Sequence, residues 1–272
     1  MVIGIDIGST TTKTVAIYPD STIKKLTTTA CDAVTSATGA LGKIMFEAGV
    51  QITDIKHIAL TGVGASSING NLFGIPTSKI EEITAIGLGG MYLSGKKNVL
   101  IANIGTGTAL VEAKENSTRH IGGTGVGGGT ITGLAKAILK ITDIGLIIQM
   151  AEKGHIENID LKIGDVFNSN LSFLEREMTA ANFGKLKDTA TPEDIARGIL
   201  NMVYEVIGMV SVFAAKSRNL DTVIVTGNAS NIAIGQEILN IISGMYAVDF
   251  NYPNDAEYTT AIGAALSQTG FK

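Results

Sequence analysis

A chain of 272 residues can bury a sizeable core, as one large domain or two ordinary ones. With 45% hydrophobic and 17% charged residues it has a soluble, globular composition, and its net charge of −4 speaks against non-specific nucleic-acid binding. The single cysteine, Cys31, excludes an intrachain disulfide or a cysteine-built metal site, and no run approaches the ~20 apolar residues of a membrane span. The first strand-like segment starts at Val2 and leaves no room for a leader peptide, so a cytoplasmic protein is expected.

Residues 2–7 read as a strand, because Ile3, Ile5 and Ile7 alternate and β-branched residues suit a pleated surface. Gly8, Ser9, Thr10, Thr11, Thr12 and Lys13 follow, and the chain is extended again over 14–18, which makes a hairpin. Its turn is rich in N–H and hydroxyl donors and suits a phosphate. Asp6 stands where a carboxylate can hold a metal ion directly or through water. Lys13 can place a point charge on a phosphoryl group. A third strand is predicted over 21–29, and Asp32 caps a predicted helix over 34–48 that stops at Gly49. A short strand over 57–61 ends in Gly62-Val63-Gly64, and a helix over 80–93 carries Glu81 and Glu82.

The opening pattern then repeats. Residues 98–104 form an apolar strand, Gly105-Thr106-Gly107-Thr108 a turn, and 109–114 a second strand. Two such hairpins predict two similar halves facing one another across a ligand. The boundary is placed between 1–96 and 97–272, with a closing helix, within 259–272, expected to pack back on the first half. A glycine-rich segment, 122–130, precedes a helix over 131–140, and the helix N-terminus at Gly128-Gly129-Thr130 can hold phosphate oxygens. Another helix runs to Lys153, and 154–187 reads as an irregular polar excursion. Thr191-Pro192 starts a long apolar helix to Arg218. A strand over 222–225 leads into Gly227-Asn228 and a helix to Ser243; a strand over 246–252 and the closing helix complete an α/β pattern. The Walker spacing is absent. Residues 123–128 match G-x-G-x-x-G, but mid-chain and without an opening βαβ unit, which disfavours a dinucleotide-binding reading.

The two hairpins, together with Gly227-Asn228, resemble the phosphate and adenosine motifs of the sugar kinase/Hsp70/actin superfamily. Within it, almost the whole chain resembles the type II pantothenate kinases. The most specific segments are Gln149-Met150-Ala151 through Gly154 to Ile159-Asp160-Leu161-Lys162, and Thr179-Ala180-Ala181-Asn182-Phe183-Gly184. The resemblance implies an actin-like (ribonuclease H-like) duplicated α/β fold, ATP and Mg²⁺ as cofactors, pantothenate as substrate, and a homodimer with no nucleic-acid or membrane partner. It implies that Asp6 organises the metal, that Gly8 to Lys13, Thr106, Gly128 to Thr132, Gly227 and Asn228 hold the nucleotide, and that Gly122 and Gly123 lie at the substrate. It implies a glutamate base at the head of a first-half helix, seven residues before a glycine. Glu82 with Gly89 fits and Glu81 is the alternative; the aspartate usual two residues on is Thr84 here. The arginine the family places before the hydrophobic-Gly-Gly step is His120, preceded by Arg119, so either Arg119 reaches the acceptor carboxylate or the acceptor differs. A kinase for another small hydroxylated metabolite, and an ATPase that activates a partner enzyme, are the alternatives.

Overall fold

The computed structural model of the chain describes residues 1–115, 117–167 and 176–269. Its first half contains β1 (Val2–Ile7), β2 (Thr11–Ile17), β3 (Ile23–Thr29), α1 (Ala33–Ala48), β4 (His57–Thr61), β5 (Thr77–Lys79) and α2 (Glu82–Ser94). The second half runs β6 (Asn98–Ile104), β7 (Thr108–Lys114), β8 (Ser117–Thr124), α3 (Gly128–Leu139), α4 (Ile144–Ala151), β9 (Leu161–Lys162), α5 (Ile163–Val166) and β10 (Thr179–Ala181). It closes with α6 (Pro192–Ser217), β11 (Thr222–Thr226), α7 (Ala233–Tyr246), β12 (Asp249–Asn251) and α8 (Thr259–Leu266).

The repeat seen in the sequence is a repeat of sheets. One has the order β3-β2-β1-β4-β5 and the other β8-β7-β6-β11-β12, each an antiparallel meander extended by parallel strands. Odd positions of β1 face α1: Ile3, Ile5 and Ile7 pack with Ala37, Leu41 and Ile44. The predicted caps hold α1 in place. Asp32 Oδ1 accepts from the Val34 and Thr35 amides at 3.1 and 3.0 Å, and Gly49 closes the helix with φ +67°. In the second half α6 starts with a reciprocal Thr191–Asp194 capping box and buries Ile199, Leu200, Val203, Tyr204 and Ile207 in the largest core cluster. Among the described residues α6 is the helix long and apolar enough to cross a membrane, and most of it is buried inside the fold.

The helices that end each half cross over. α2 lays Ile83, Ile86 and Met91 against Val99, Ile101, Val111 and Ala113 of the second sheet. α8 lays Ala261, Ile262, Ala265 and Leu266 against Val15 and Ile17 of the first. They meet through glycines at near-backbone contact. A Cβ on Gly263 would lie 1.8 Å from the Ala85 carbonyl oxygen, and one on Gly89 would lie 2.0 Å from that of Thr259. Gly263→Ala therefore forces the two helices apart and is expected to destabilise the protein by about 2–3 kcal/mol in urea unfolding. Gly42→Ala, on the exposed face of α1 with open space around it, is the control, with an expected gain of about 0.5 kcal/mol. Equal stability of the two variants would refute the crossing as a tight contact.

Several elements differ from expectation. The first residues of the glycine-rich segment, Gly122 to Thr124, belong to the strand β8 because they pair with β7, and Gly123 is needed where a Cβ would meet the Thr108 carbonyl oxygen at 2.3 Å. α3 starts at Gly128 rather than 131, and α7 runs on to Tyr246, leaving only Asp249–Asn251 for the last strand. The excursion over 154–187 contains the β9–β10 pair, pinned by Asp160, whose carboxylate accepts from the Phe183 amide at 2.7 Å and from Asn201 Nδ2 at 2.8 Å. Residues 168–175 of that excursion and 270–272 of the closing segment lie outside the described residues.

Candidate active site

The two sheets present their loops to one cleft. From the first sheet come Asp6 at the end of β1, the turn Gly8-Ser9-Thr10-Thr11, and Lys13 on β2. Asp6 and Lys13 are direct cross-strand partners, so carboxylate and ammonium share a face. The turn is closed by the Gly8 amide donating to the Thr11 carbonyl at 3.1 Å. Glu82 enters at the first turn of α2. From the second sheet come Asn103, Gly105 and Thr106 at the end of β6, and Gly227 and Asn228 after β11. Glu257 and Thr260, from the chain leading into α8, complete the lining.

A second chamber of about 550 Å³ opens beside the first and shares Val63, Glu82, Asn103, Gly105 and Thr106 with it. Its own walls are Gly107, Thr108, Ala109, His120, Gly123, Thr124 and Gly125. Glu82 thus stands on the wall common to both spaces, whereas Glu81, the N-cap residue of α2, lines neither. Thr84, where an aspartate was expected, is engaged with β8: its hydroxyl accepts from the Thr118 hydroxyl at 3.5 Å.

Charge is concentrated at the inner end. Burial pushes the Asp6 carboxyl from 3.8 up to about 6, opposed by the adjacent Lys13 ammonium and reinforced by the nearby Glu82 carboxylate. Burial lowers the Lys13 pKa, while Asp6 and Glu257 hold it up. Asp6 has its space because the facing residue lacks a side chain. A Cβ on Gly62 would lie 2.3 Å from Asp6 Oδ1, and Gly62 sits at φ +83°, a conformation glycine adopts without cost.

Not every predicted residue reaches the cleft. Thr12 alternates to the α1 face, where its side chain is fully buried. Gly128 and Gly129 spend their amides on the second turn, donating to the Gly105 and Thr106 carbonyls at 2.9 Å each. The Thr130 and Ile131 amides donate to the Gly127 carbonyl, Thr132 donates back into its own helix, and the Ile131 side chain is core. The start of α3 therefore braces the Thr106 turn. Gly123 lines the second chamber and Gly122 does not. Arg119 is also displaced: its strand partner is Glu112, on the face turned toward α6, while His120 pairs with Val111 on the α2 face. A bulge at Ile121 separates these pairs from Gly122 and Leu110.

Sequence reasoning missed Gly62, Asn103, Glu257 and Thr260. The repeat carried the signal for Gly62: Thr61-Gly62 ends β4 as Thr226-Gly227 ends β11, both glycines at positive φ. Asn103 lies in the repeated strand, 98–104; its side-chain oxygen accepts from the Thr226 hydroxyl at 3.0 Å. Nothing local marks Glu257, which is brought to the cleft by tertiary packing and held by Asn231 Nδ2 at 2.8 Å.

Two equivalent sheets that face one another across a donor-rich cleft, with their terminal helices packed between them, define an actin-like protein of duplicated ribonuclease H-like architecture. The chain superimposes with a TM-score of 0.69 on the activator of 2-hydroxyisocaproyl-CoA dehydratase from Clostridium difficile with bound ADPNP, at 19% identity over 100% of this chain and 98% of that one. It superimposes with a TM-score of 0.64 on a ROK family glucokinase from Streptomyces griseus in complex with glucose and AMPPNP, at 12% identity over 99% of each chain. These two likenesses establish the fold. The Fumble family profile matches residues 96–266. The type II pantothenate kinase of Bacillus anthracis is 32% identical over 232 residues, 81% of this chain and 83% of that protein. The chain therefore belongs to the type II pantothenate kinase family.

Proposed function

We propose that this chain transfers the γ-phosphoryl group of ATP to the primary hydroxyl of pantothenate, giving 4′-phosphopantothenate, the first step of coenzyme A synthesis. The observation that carries the reading is the position of Glu82 on the wall shared by two chambers. Phosphoryl transfer needs a phosphate site, an acceptor site and a carboxylate at the border to take the hydroxyl proton. Ser9, Thr10, Thr11 and Thr106 supply hydroxyls around the phosphates, and Lys13 supplies a positive charge. Gly227 and Asn228 lie at the nucleoside end. The acceptor occupies the second chamber against Gly123 and His120, with its hydroxyl turned to Glu82.

The residues present also fit Mg²⁺. Asp6 is a half-buried oxygen donor with room at Oδ1, and among the described residues no cluster of three or more ligand side chains forms a closed cage. Mg²⁺ is commonly held in this way, by one or two carboxylates together with water and substrate phosphates. When bound, it neutralises charge on the transferring phosphoryl group. We extend the proposal to two lobes, 1–96 and 97–272, tied by the α2–α8 crossing. It further includes a cytoplasmic homodimer that acts on a small molecule, without nucleic acid or membrane; the acidic balance of the chain supports the small-molecule reading.

The test is ADP release coupled to oxidation of NADH, with pantothenate and a panel of small alcohols. Pantothenate-dependent turnover is expected. Turnover with another alcohol and none with pantothenate would reassign the acceptor, and release with no acceptor at all would reassign the protein as an ATPase.

A further inference from the structure

Resting on the reading of the second chamber as the acceptor site, we infer that Val63 is a specificity-determining residue for the acceptor, packing against the two methyl groups that pantothenate carries beside its reacting hydroxyl. The primary hydroxyl of pantothenate stands on a carbon bonded to a quaternary carbon, and that quaternary carbon bears both methyls. Wherever the hydroxyl goes, an apolar knob follows directly behind it. With the hydroxyl turned to Glu82, the knob has to lie against the wall that the two chambers share. That wall is made of Val63, Glu82, Asn103, Gly105 and Thr106, so among the described residues Val63 supplies its wholly apolar side chain. Ala109, the other such residue in the second chamber, does not line the first.

The chain holds Val63 in that position from both sides. Gly62 and Gly64 press the turn onto the end of β1: a Cβ on Gly62 would lie 2.3 Å from Asp6 Oδ1, and one on Gly64 would lie 2.4 Å from Ile7 Cγ2. Residues Val63–Ser67 then form a short helical turn. Its first carbonyl, of Val63, accepts from the Ser66 hydroxyl at 3.2 Å, and the Ala65 amide donates to the Gly62 carbonyl at 3.1 Å. Ala65 and Ile68 root the turn in the core of the first half, yet Val63 itself is 68% exposed. A branched side chain held out over the cleft by an anchored turn offers a ligand a stiff apolar contact, with little rotamer freedom left to lose on binding. The duplication sharpens the contrast. Thr61-Gly62-Val63 corresponds to Thr226-Gly227-Asn228, both glycines at positive φ, so the place that carries a polar side chain at the nucleoside end carries an apolar one at the acceptor end.

The experiment measures kcat/KM for pantothenate and for its analogue lacking the two methyls, in the wild type, Val63→Ala and Val63→Ile. The wild type is expected to favour pantothenate at least about tenfold, the scale on which an apolar site reads a missing methylene. Val63→Ala is expected to lose at least about fivefold for pantothenate and to stay within about twofold of wild type for the analogue, so that the preference collapses. Val63→Ile keeps a branched apolar surface and is expected to keep the preference. The position is exposed, so the melting temperatures of both variants should match that of the wild type. A merely structural role for the turn would lower both acceptors alike, because the phosphate end and Glu82 serve both. Equal losses for the two acceptors in Val63→Ala, or a wild type indifferent to the methyls, overturns the assignment of Val63 while leaving the kinase reading intact. Phosphorylation of neither acceptor refutes the reading of the chamber, and the inference with it.

Discussion

Glu82→Gln is expected to lower kcat for pantothenate-dependent ADP release at least ~100-fold, the scale of lost general-base catalysis. The substitution keeps the side-chain volume and removes the ability to accept the hydroxyl proton. It should leave KM for ATP close to wild type, or slightly lower. Glu82 raises the pKa of Asp6 through like-charge repulsion, so its negative charge works against the phosphate end of the cleft. A fall in kcat without a rise in KM is the signature of an interaction made in the transition state. Glu81→Gln is the matched control. Sequence spacing left Glu81 as an alternative, but it caps α2 and lines neither chamber, so its kcat should stay within about twofold of wild type. Residual activity of Glu82→Gln above a tenth of wild type, or a large loss in Glu81→Gln, would move the base away from Glu82.

The elements most legible in the sequence were those whose signals are local. Ile3, Ile5 and Ile7 announced a strand, Asp32 and Gly49 the ends of α1, and Thr191-Pro192 the start of α6. The duplicated hairpins were equally readable, and with them the turns that line the inner end of the cleft. The unread parts depend on partners distant in the chain. β8 looks like a glycine turn until β7 lies beside it. The contact of Gly128 and Gly129 with the 105–107 turn, which takes their amides, has no local signal. Arg119 and His120 are adjacent in sequence, and only strand alternation, fixed by register against Glu112 and Val111, decides which of them lines the second chamber. Glu257 reaches Lys13 because α8 returns to the first sheet, a contact between residues far apart in the chain.

Asp6→Asn should separate function from stability. Without the carboxylate, phosphoryl transfer is expected to fall at least ~100-fold, because the group proposed to orient the metal is gone. The same change should stabilise the nucleotide-free protein at pH 7.5. Burial raises the Asp6 pKa in the folded state from 3.8 to about 6. Between these values the folded chain holds a proton that the unfolded chain has released, so stability falls as pH rises through this window. Above about pH 6 the full cost is present, on the order of 3 kcal/mol at ~1.4 kcal/mol for each pH unit. Asparagine does not ionise and avoids it. Lys13 loses its nearest counter-charge in the variant and keeps Glu257, which offsets part of the gain. The expected net effect is about 1–2 kcal/mol in urea unfolding at pH 7.5, shrinking below pH 6 and absent near pH 4. Mg²⁺ with ADP should reverse the order, raising the melting temperature of the wild type more than that of the variant, since a ligand that binds only the folded state stabilises it by mass action. A variant less stable than wild type at pH 7.5, with a gap that does not change on acidification, would show that Asp6 is a structural carboxylate rather than a buried charge kept for the metal.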